Sequence, residues 1–215
     1  MFNKGIQCET VDMKDILQKC VNGFFLEMIT KMKAPSLNTL TRKFDSSMKK
    51  YGDMFNDKKK VDSLFLLRNF YNWACDNRIV VVSLNEPYVI TTDNNNVLEG
   101  ICSPVAYNEN GRYEVIKNNF SQRQYDDRIA PMLMKNSIDV MACSNNADEK
   151  ISAVRINHVR TGKELKICPT LNDNNRLLKS IDGVCSSIEN GIFYARDGFA
   201  CEKCSYKNIC RGWGI

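Results

Sequence analysis

The sequence predicts a mixed fold of class α/β (α+β) in a single domain, and three changes of pattern along the chain indicate it. Apolar residues recur about every 3.6 positions up to residue 77, which is typical of amphipathic helices. From residue 78 the pattern becomes β-branched and alternating, and helical spacing returns near the end. A chain of 215 residues, 43% of them hydrophobic, can bury a sizeable core. We expect a helical part at 1–77, a sheet core at 78–170, and a C-terminal helix with a cysteine loop at 171–215.

The N-terminal part is predicted to contain two helical regions. The first covers about residues 11–31, and Pro35 ends it because proline cannot continue a helix. The second runs from about Leu37 to Asn77 and is interrupted near Gly52. The first helix carries one apolar stripe, formed by Met13, Ile16, Leu17, Cys20, Val21, Phe24 and Met28. We therefore expect the side chain of Cys20 to face the core.

The middle of the chain is predicted to form three consecutive strands. They cover residues 79–92, 97–107 and 113–120, and Asn110-Gly111 is expected to close a hairpin between the last two. The elements that follow are a helix at about 126–142, a strand at 151–159, a turn at Thr161-Gly162, a strand at 164–168 and a helix at about 172–189. The order α, βββ, α, β predicts an α/β or α+β sandwich.

Composition limits the functional classes. The formal charge of +5 and the pI near 8.6 permit nucleic-acid binding but do not require it. No apolar run approaches the roughly 20 residues of a membrane span, and the N-terminus lacks a secretory signal pattern. We therefore expect a cytoplasmic protein. In that compartment clustered cysteines are more often metal ligands than disulfides.

The C-terminal tail contains the strongest motif. Cys201, Cys204 and Cys210 stand in a C-x2-C-x5-C arrangement, which allows three thiolates to grip one metal centre. Zinc sites and cubane iron-sulfur clusters both need four ligands, so a distant cysteine must complete the set. Cys20, on its inward stripe, is the natural fourth ligand, with Cys8 and Cys75 in reserve. Ligand type alone leaves a 4Fe-4S cluster and zinc as alternatives.

Several motifs together resemble a known family. The cysteine tail follows Phe193-Tyr194, Cys20 stands in an N-terminal helix, and Gly100 and Ile116 lie in segments that resemble two motif strands. In this respect the chain is similar to the iron-sulfur branch of the PD-(D/E)XK nucleases, which includes the CRISPR-associated exonucleases of the fourth Cas family and the AddB nuclease domain. The resemblance implies an αβββαβ nuclease-like core and a structural 4Fe-4S cluster on the four cysteines.

The same resemblance implies that the catalytic centre is degenerate. Where active relatives carry two acidic metal ligands and a lysine, this sequence has Cys102, Lys117 and Asn119. A thiol and an ammonium cannot replace the hard oxygen ligands of magnesium, so we expect no magnesium there and no catalysis. One alternative is a shifted alignment in which Glu114 and Asp93 form the site of an active Mg²⁺- or Mn²⁺-dependent deoxyribonuclease. The sole histidine, His158, lacks a catalytic context.

Basic residues in the helical half are the predicted nucleic-acid contacts, because lysines bind phosphates without a catalytic centre. Interspersed carboxylates, such as Asp45 and Asp62, leave a solvated helical face as the alternative. The partners expected are DNA, or protein subunits of a DNA-processing or viral assembly in which the chain is a structural scaffold. The predicted DNA-binding residues are Lys43, Lys49, Lys50, Lys58 and Lys59.

Overall fold

The computed structural model describes residues 12–108, 110–122, 134–146 and 151–192, and these ranges form an α+β fold. No helix within them is long and apolar enough to cross a membrane. The helices are α1 (Met13–Lys31), α2 (Leu37–Tyr51), α3 (Asp57–Asp76), α4 (Met134–Asn146) and α5 (Leu171–Glu189), with a 3-10 turn at Gly52–Met54. The strands are β1 (Val80–Ser83), β2 (Pro87–Thr91), β3 (Val97–Ile101), β4 (Val105–Tyr107), β5 (Tyr113–Asn119), β6 (Ala153–His158) and β7 (Lys163–Ile167).

The helices begin at the polar caps that their sequences provide. Asp12 accepts a hydrogen bond from the amide of Lys14 at the start of α1, and Asn56 accepts one from the amide of Lys59 in α3. Thr170 and Asp173 form a capping box at the start of α5. These side chains satisfy amides that the first turn leaves without intrahelical partners. Helix α1 ends at Met32, which adopts a left-handed conformation.

A five-stranded mixed sheet forms the centre of the fold, in the order β1-β4-β5-β6-β7. Strands β1, β4 and β5 are antiparallel neighbours, whereas β6 lies parallel to β5 after the crossover that contains α4. Strand β7 pairs antiparallel with β6 at the other edge. The strand ends of β5 and β6 therefore meet at the same edge of the sheet.

Helices cover both faces of this sheet, because successive residues of a strand point to opposite sides. Ile116 of β5 packs in a core with buried residues of α1, α2 and α3. Its neighbour Val115 packs in a second core with Ala142 and Cys143 of α4. The alternating burial of β5 thus places α4 on one face and the three N-terminal helices on the other.

Two of the predicted strands are wrong in extent. The segment 79–92 forms two strands, because Asn85 adopts a left-handed conformation with φ 60° and turns the chain between β1 and β2. The segment 97–107 is also divided, and Pro104 lies in the break between β3 and β4. Strands β2 and β3 pair only with each other, so they form a separate two-stranded hairpin.

The remaining elements agree with the sequence pattern to within a few residues. The hairpin predicted at Asn110-Gly111 joins β4 to β5, and Gly111 has a φ of 72° that favours glycine. The helix predicted at 126–142 is described from Met134 and continues to Asn146. Its predicted beginning lies outside the described residues. The interruption predicted near Gly52 is the turn between α2 and α3.

Candidate functional site

A buried polar cluster lies where β5 packs against α4, and it includes a predicted catalytic position. The ammonium of Lys117 on β5 forms an ion pair with Asp139 of α4. The Lys117 Nζ also donates a hydrogen bond to Asn136 Oδ1 at 3.1 Å. Ser103 Oγ donates to the other carboxylate oxygen of Asp139 at 2.8 Å. The cluster therefore joins β5, α4 and the segment between β3 and β4.

Burial controls the electrostatics of this cluster. The side chains of Lys117 and Asp139 are only 17% and 8% exposed. Loss of hydration lowers the pKa of Lys117, and the carboxylate of Asp139 opposes that change. The contact with Asp139 thus favours the charged form of the lysine. A fixed positive charge at this place repels a divalent cation, so the cluster is unsuited to metal-assisted hydrolysis.

Cys102 lies beside this cluster. The sequence pattern placed it on a strand that pairs with β5, and that prediction is wrong. Cys102 follows β3, and its amide donates to the carbonyl of Glu86 at 2.7 Å. The hairpin expected between 97–107 and β5 is correct only for β4, because β3 pairs with β2. Cys102 and Cys143 of α4 line one small cavity of about 50 Å³. Burial raises the pKa of both thiols, which are therefore protonated at neutral pH.

The third of the degenerate catalytic positions, Asn119, has its side chain in contact with the sole histidine of the sequence. The Nδ2 atom of Asn119 lies 3.1 Å from Nδ1 of His158, and the two residues are register partners on β5 and β6. The histidine is 2% exposed. This contact joins two polar side chains at the end of the parallel strands. Within the described ranges, His158 belongs to no group of three or more histidine, cysteine, aspartate or glutamate side chains that could hold a metal ion.

Glu114 lies on the opposite face of β5 from Lys117, where cations surround its carboxylate. Arg155 Nε and Nη2 both lie 2.8 Å from Glu114 Oε2, and Lys166 Nζ lies 2.5 Å from Oε1. Asn108 Nδ2 donates to Oε1 at 2.8 Å. Burial alone would raise the pKa of Glu114, but the hydrogen bonds from Lys166 and Asn108 and the charge of Arg155 lower it. Glu114 is therefore a structural anion, and the described geometry gives it no shared site with Asp93.

Cys20 is the one predicted metal ligand within the described residues. It lies in the core between α1 and α2 with 2% exposure. Burial raises the pKa of its thiol, while a hydrogen bond with Ser47 and the charge of Lys43 oppose that rise. The pKa of the Cys20 thiol is nevertheless raised overall, so its described surroundings favour the protonated form, and its role as a metal ligand stays a prediction. Cys201, Cys204 and Cys210 lie outside the described residues, as does Cys8.

The other cysteines of the described ranges do not complete a metal site with Cys20. Cys75, the reserve ligand, is exposed on α3, and Cys168 is exposed after β7. No group of three or more histidine, cysteine, aspartate or glutamate side chains within 12–108, 110–122, 134–146 and 151–192 could hold a metal ion. The donor set of the predicted cluster therefore depends on the tail cysteines.

The predicted DNA-binding lysines differ in their surroundings. Lys43 crosses over Gly23 of α1, where a Cβ atom would lie 3.2 Å from Lys43 Cδ, and its Nζ is 3.7 Å from Glu27 Oε2. Lys50 lies over the ring of Tyr51 at 5.0 Å. Lys49 and Lys58 are exposed, and so is Lys59, whose Nζ lies 5.8 Å from the centre of the Phe55 ring. Lys59 also lines a cleft at the edge of the sheet.

Sequence analysis did not identify Asp139 or its neighbour Asn136 as members of the site. Both are buried polar residues, three positions apart on α4. Residues with this spacing lie on the same side of a helix. Polar residues on the inward side of a helix are a signal of a buried polar site. That signal was present in the sequence, although their partner on β5 could not be inferred from spacing.

Comparison with known proteins adds little to this geometry. No family model matches the sequence, and no curated protein matches it either. Among solved structures, the chain is similar to one described as "Crystal structure of SSO0001", with a TM-score of 0.42 and 12% identity. The similarity covers 93% of this chain and 95% of the other. A TM-score this low supports no conclusion about a shared fold or function.

Proposed function

We propose that this protein is a catalytically inactive, nuclease-like DNA-binding protein that contains a 4Fe-4S cluster. The order of its elements supports the proposal. Helix α3 is followed by β1, β4 and β5, then by α4, and then by β6 parallel to β5. This is the αβββαβ order that the resemblance to PD-(D/E)XK nucleases implies, with the β2–β3 hairpin as an insertion between the first two core strands.

The ion pair of Lys117 and Asp139 is the observation that carries the proposal of inactivity. The resemblance places an acidic metal ligand at position 117, and the ammonium found there contacts the nearest carboxylate of the described structure. Magnesium requires several oxygen ligands around one open position. Here the ammonium of Lys117 already donates a hydrogen bond to the side-chain oxygen of Asn136 and forms an ion pair with Asp139. An internal cation thus replaces the divalent ion of an active nuclease.

The metal site is proposed on Cys20, Cys201, Cys204 and Cys210. Four thiolates suit a 4Fe-4S cluster, with zinc as the alternative. Such a centre would supply a cross-link between the first helix and the tail rather than a catalytic step. Ser47 and Lys43, next to Cys20, would support the negatively charged sulfur.

Binding of Mn²⁺ tests the replaced metal site, and electron paramagnetic resonance of free Mn²⁺ measures it directly. We expect the wild-type protein to leave the Mn²⁺ signal unchanged. The variant Lys117→Glu removes the ammonium and adds a carboxylate beside Asp139, so it should gain Mn²⁺ affinity, whereas Lys117→Gln should not. Mn²⁺ binding by the wild type that disappears in Asp139→Asn would show that the site is a functional metal centre.

A further inference from the structure

A cleft of about 670 Å³ opens at the edge of the sheet where β5 and β6 end. Its walls come from the start of α1, the first turns of α3 and the chain after β5. Lys14 lies on the first wall, Lys59 on the second and Ser121 on the third, and Arg160 follows β6. A crevice beyond the carboxyl ends of parallel strands is a common place for ligands in α/β proteins. Its volume is within the range of about 300–1,000 Å³ for small-molecule sites.

The cations of this cleft are of two kinds. Arg160 is fixed by Asp62, with Nη1 2.8 Å from Oδ1 and Nη2 2.6 Å from Oδ2. This pair is a neutral wall between α3 and the sheet. In contrast, neither Lys14 nor Lys59 forms a side-chain ion pair with a carboxylate of the described ranges. Their ammonium groups are therefore the positive charges available to a ligand.

The ends of the two helices do not by themselves make this an anion site. The amide of Lys14 donates a hydrogen bond to the carboxylate of Asp12 at 3.1 Å. The amide of Lys59 donates one to Asn56 Oδ1 at 2.9 Å. Asp12 also brings a negative charge to the rim of the cleft. A ligand must accordingly be bound by side chains. Two ammonium groups with nearby hydroxyl and amide groups, on Ser121 and Gln122, are suited to a phosphate.

We propose that this cleft binds a phosphate group of a nucleotide chain, with Lys14 and Lys59 as its charge partners. The inference rests on the proposed function in one respect, which is that the nucleotide chain is DNA. It distinguishes among the lysines predicted from sequence: Lys59 contacts the ligand, while Lys49 belongs to a solvated face of α2. It also adds Lys14, whose position on α1 gave no such signal in the sequence.

The test measures binding of a fluorescent oligothymidylate of about 12 nucleotides by anisotropy. Salt is varied from about 50 to 200 mM. The double variant Lys14→Met/Lys59→Met should bind about tenfold more weakly at low salt. Its slope of log affinity against log salt should fall by about 1.4, since each lost contact with a single strand contributes about 0.7. The variant Lys14→Arg/Lys59→Arg retains both charges and should bind like the wild type.

The matched control is Lys179→Met, which removes one exposed lysine of α5 outside the cleft and should leave binding unchanged. Equal affinity of the wild type and the double Met variant would overturn the cleft proposal and leave DNA binding intact. Thymidine monophosphate is the second ligand, measured by calorimetry. If it binds the wild type and not the double Met variant while the oligonucleotide binds neither, the phosphate site stands and the DNA-binding function is overturned. No binding of either ligand to the wild type would overturn both.

Discussion

The pairing of Lys117 with Asp139 determines the chemistry of the candidate site at the scale of single residues. Each charge has lost most of its hydration, and each compensates the other. A buried ion pair gives little net stability compared with apolar residues of similar size. Removing one partner is costly, however, because the other charge then remains buried alone. The pair is therefore more informative about the site than about the stability of the whole fold.

We predict that Lys117→Met lowers the free energy of unfolding by about 3 kcal/mol at neutral pH, because Asp139 is left as an uncompensated buried charge. Urea denaturation measures this loss. The double variant Lys117→Met/Asp139→Leu removes both charges and should recover most of it. Additive effects of the two single substitutions, with no coupling between them, would show that the ion pair does not form.

Glu114 predicts a pH dependence of stability. Its pKa is lowered in the folded state, so the unfolded chain binds a proton more readily than the folded chain in acid. The stability that this carboxylate contributes is fully present above the ordinary glutamate pKa of about 4.3. It is lost as the pH falls below that value through the lowered folded pKa. Glu114→Gln should cost about 1.5–3 kcal/mol at pH 7, and the difference from wild type should shrink on acidification. A difference that stays constant from neutral pH into acid would contradict this prediction.

At the scale of secondary structure, the β2–β3 hairpin shows where sequence patterns fail. The segment from 79 to 92 is rich in β-branched residues and contains no glycine, so it reads as one strand although Pro87 lies within it. The left-handed conformation of Asn85 divides it, and that conformation is uncommon enough that sequence gives only a weak signal for it. Cys102 was assigned to the wrong pair of strands because the segment 97–107 is also divided, into β3 and β4. Its approach to Cys143 of α4 is a tertiary contact that no local pattern encodes.

Gly100 has a packing role in this hairpin. It is the register partner of Tyr88, and a Cβ atom at Gly100 would lie 2.6 Å from the tyrosine hydroxyl oxygen. We predict that Gly100→Ala displaces the Tyr88 ring and costs about 1–3 kcal/mol, measured by thermal unfolding. In a Tyr88→Ala background the same substitution should cost much less. An equal cost in both backgrounds would exclude the tyrosine as the cause.

Much of the fold could be predicted from the sequence, whereas only part of the site could. The periods of α1, α3 and α5 are long and regular, so their existence and approximate limits follow from the apolar pattern. The inward position of Cys20 followed from the same pattern. The pairing of Lys117 with Asp139 could not be predicted, because it depends on how α4 packs on the sheet after the crossover. Lys14 in the cleft was missed because the cleft depends on how α1 and α3 pack at the edge of the sheet.

At the scale of the whole molecule, α3 links the N-terminal helices to the β6–β7 edge of the sheet. Asn69 Nδ2 donates to the carbonyl of Val159 at 3.1 Å, and Trp73 Nε1 donates to Glu164 Oε2 at 2.9 Å. Asp62 adds its ion pair with Arg160 at the end of β6. These contacts join segments that are distant in sequence. A metal centre between Cys20 and the tail would extend the same kind of long-range link to the end of the chain.

We predict that Cys20→Ser lowers the iron content and reduces the melting temperature by at least about 5 °C, the shift that roughly 2 kcal/mol gives in a chain of this size. Loss of a ligand weakens the metal centre, and that centre contributes to folding because the unfolded chain lacks it. Iron analysis after anaerobic purification and differential scanning calorimetry measure the two effects. Cys168→Ser changes an exposed cysteine and is the matched control.

An iron content near four per chain in the wild type, unchanged in Cys168→Ser and lost in Cys20→Ser, is the expected result. One zinc ion in place of iron would retain the ligand set and change the metal. Equal metal content and equal melting temperature in the wild type and Cys20→Ser would remove Cys20 from the ligand set.

We propose that the fold binds DNA without cleaving it, because the ammonium of Lys117 stands where active relatives hold the catalytic metal. The most direct measurement is incubation of the anaerobically purified protein with labelled single- and double-stranded DNA, with and without Mn²⁺, followed by native and denaturing gels. We expect a shifted band in the native gel and DNA of unchanged length in the denaturing gel under all conditions. Mn²⁺-dependent shortening of the DNA that is abolished by Asp139→Asn or Glu114→Ala would contradict this proposal.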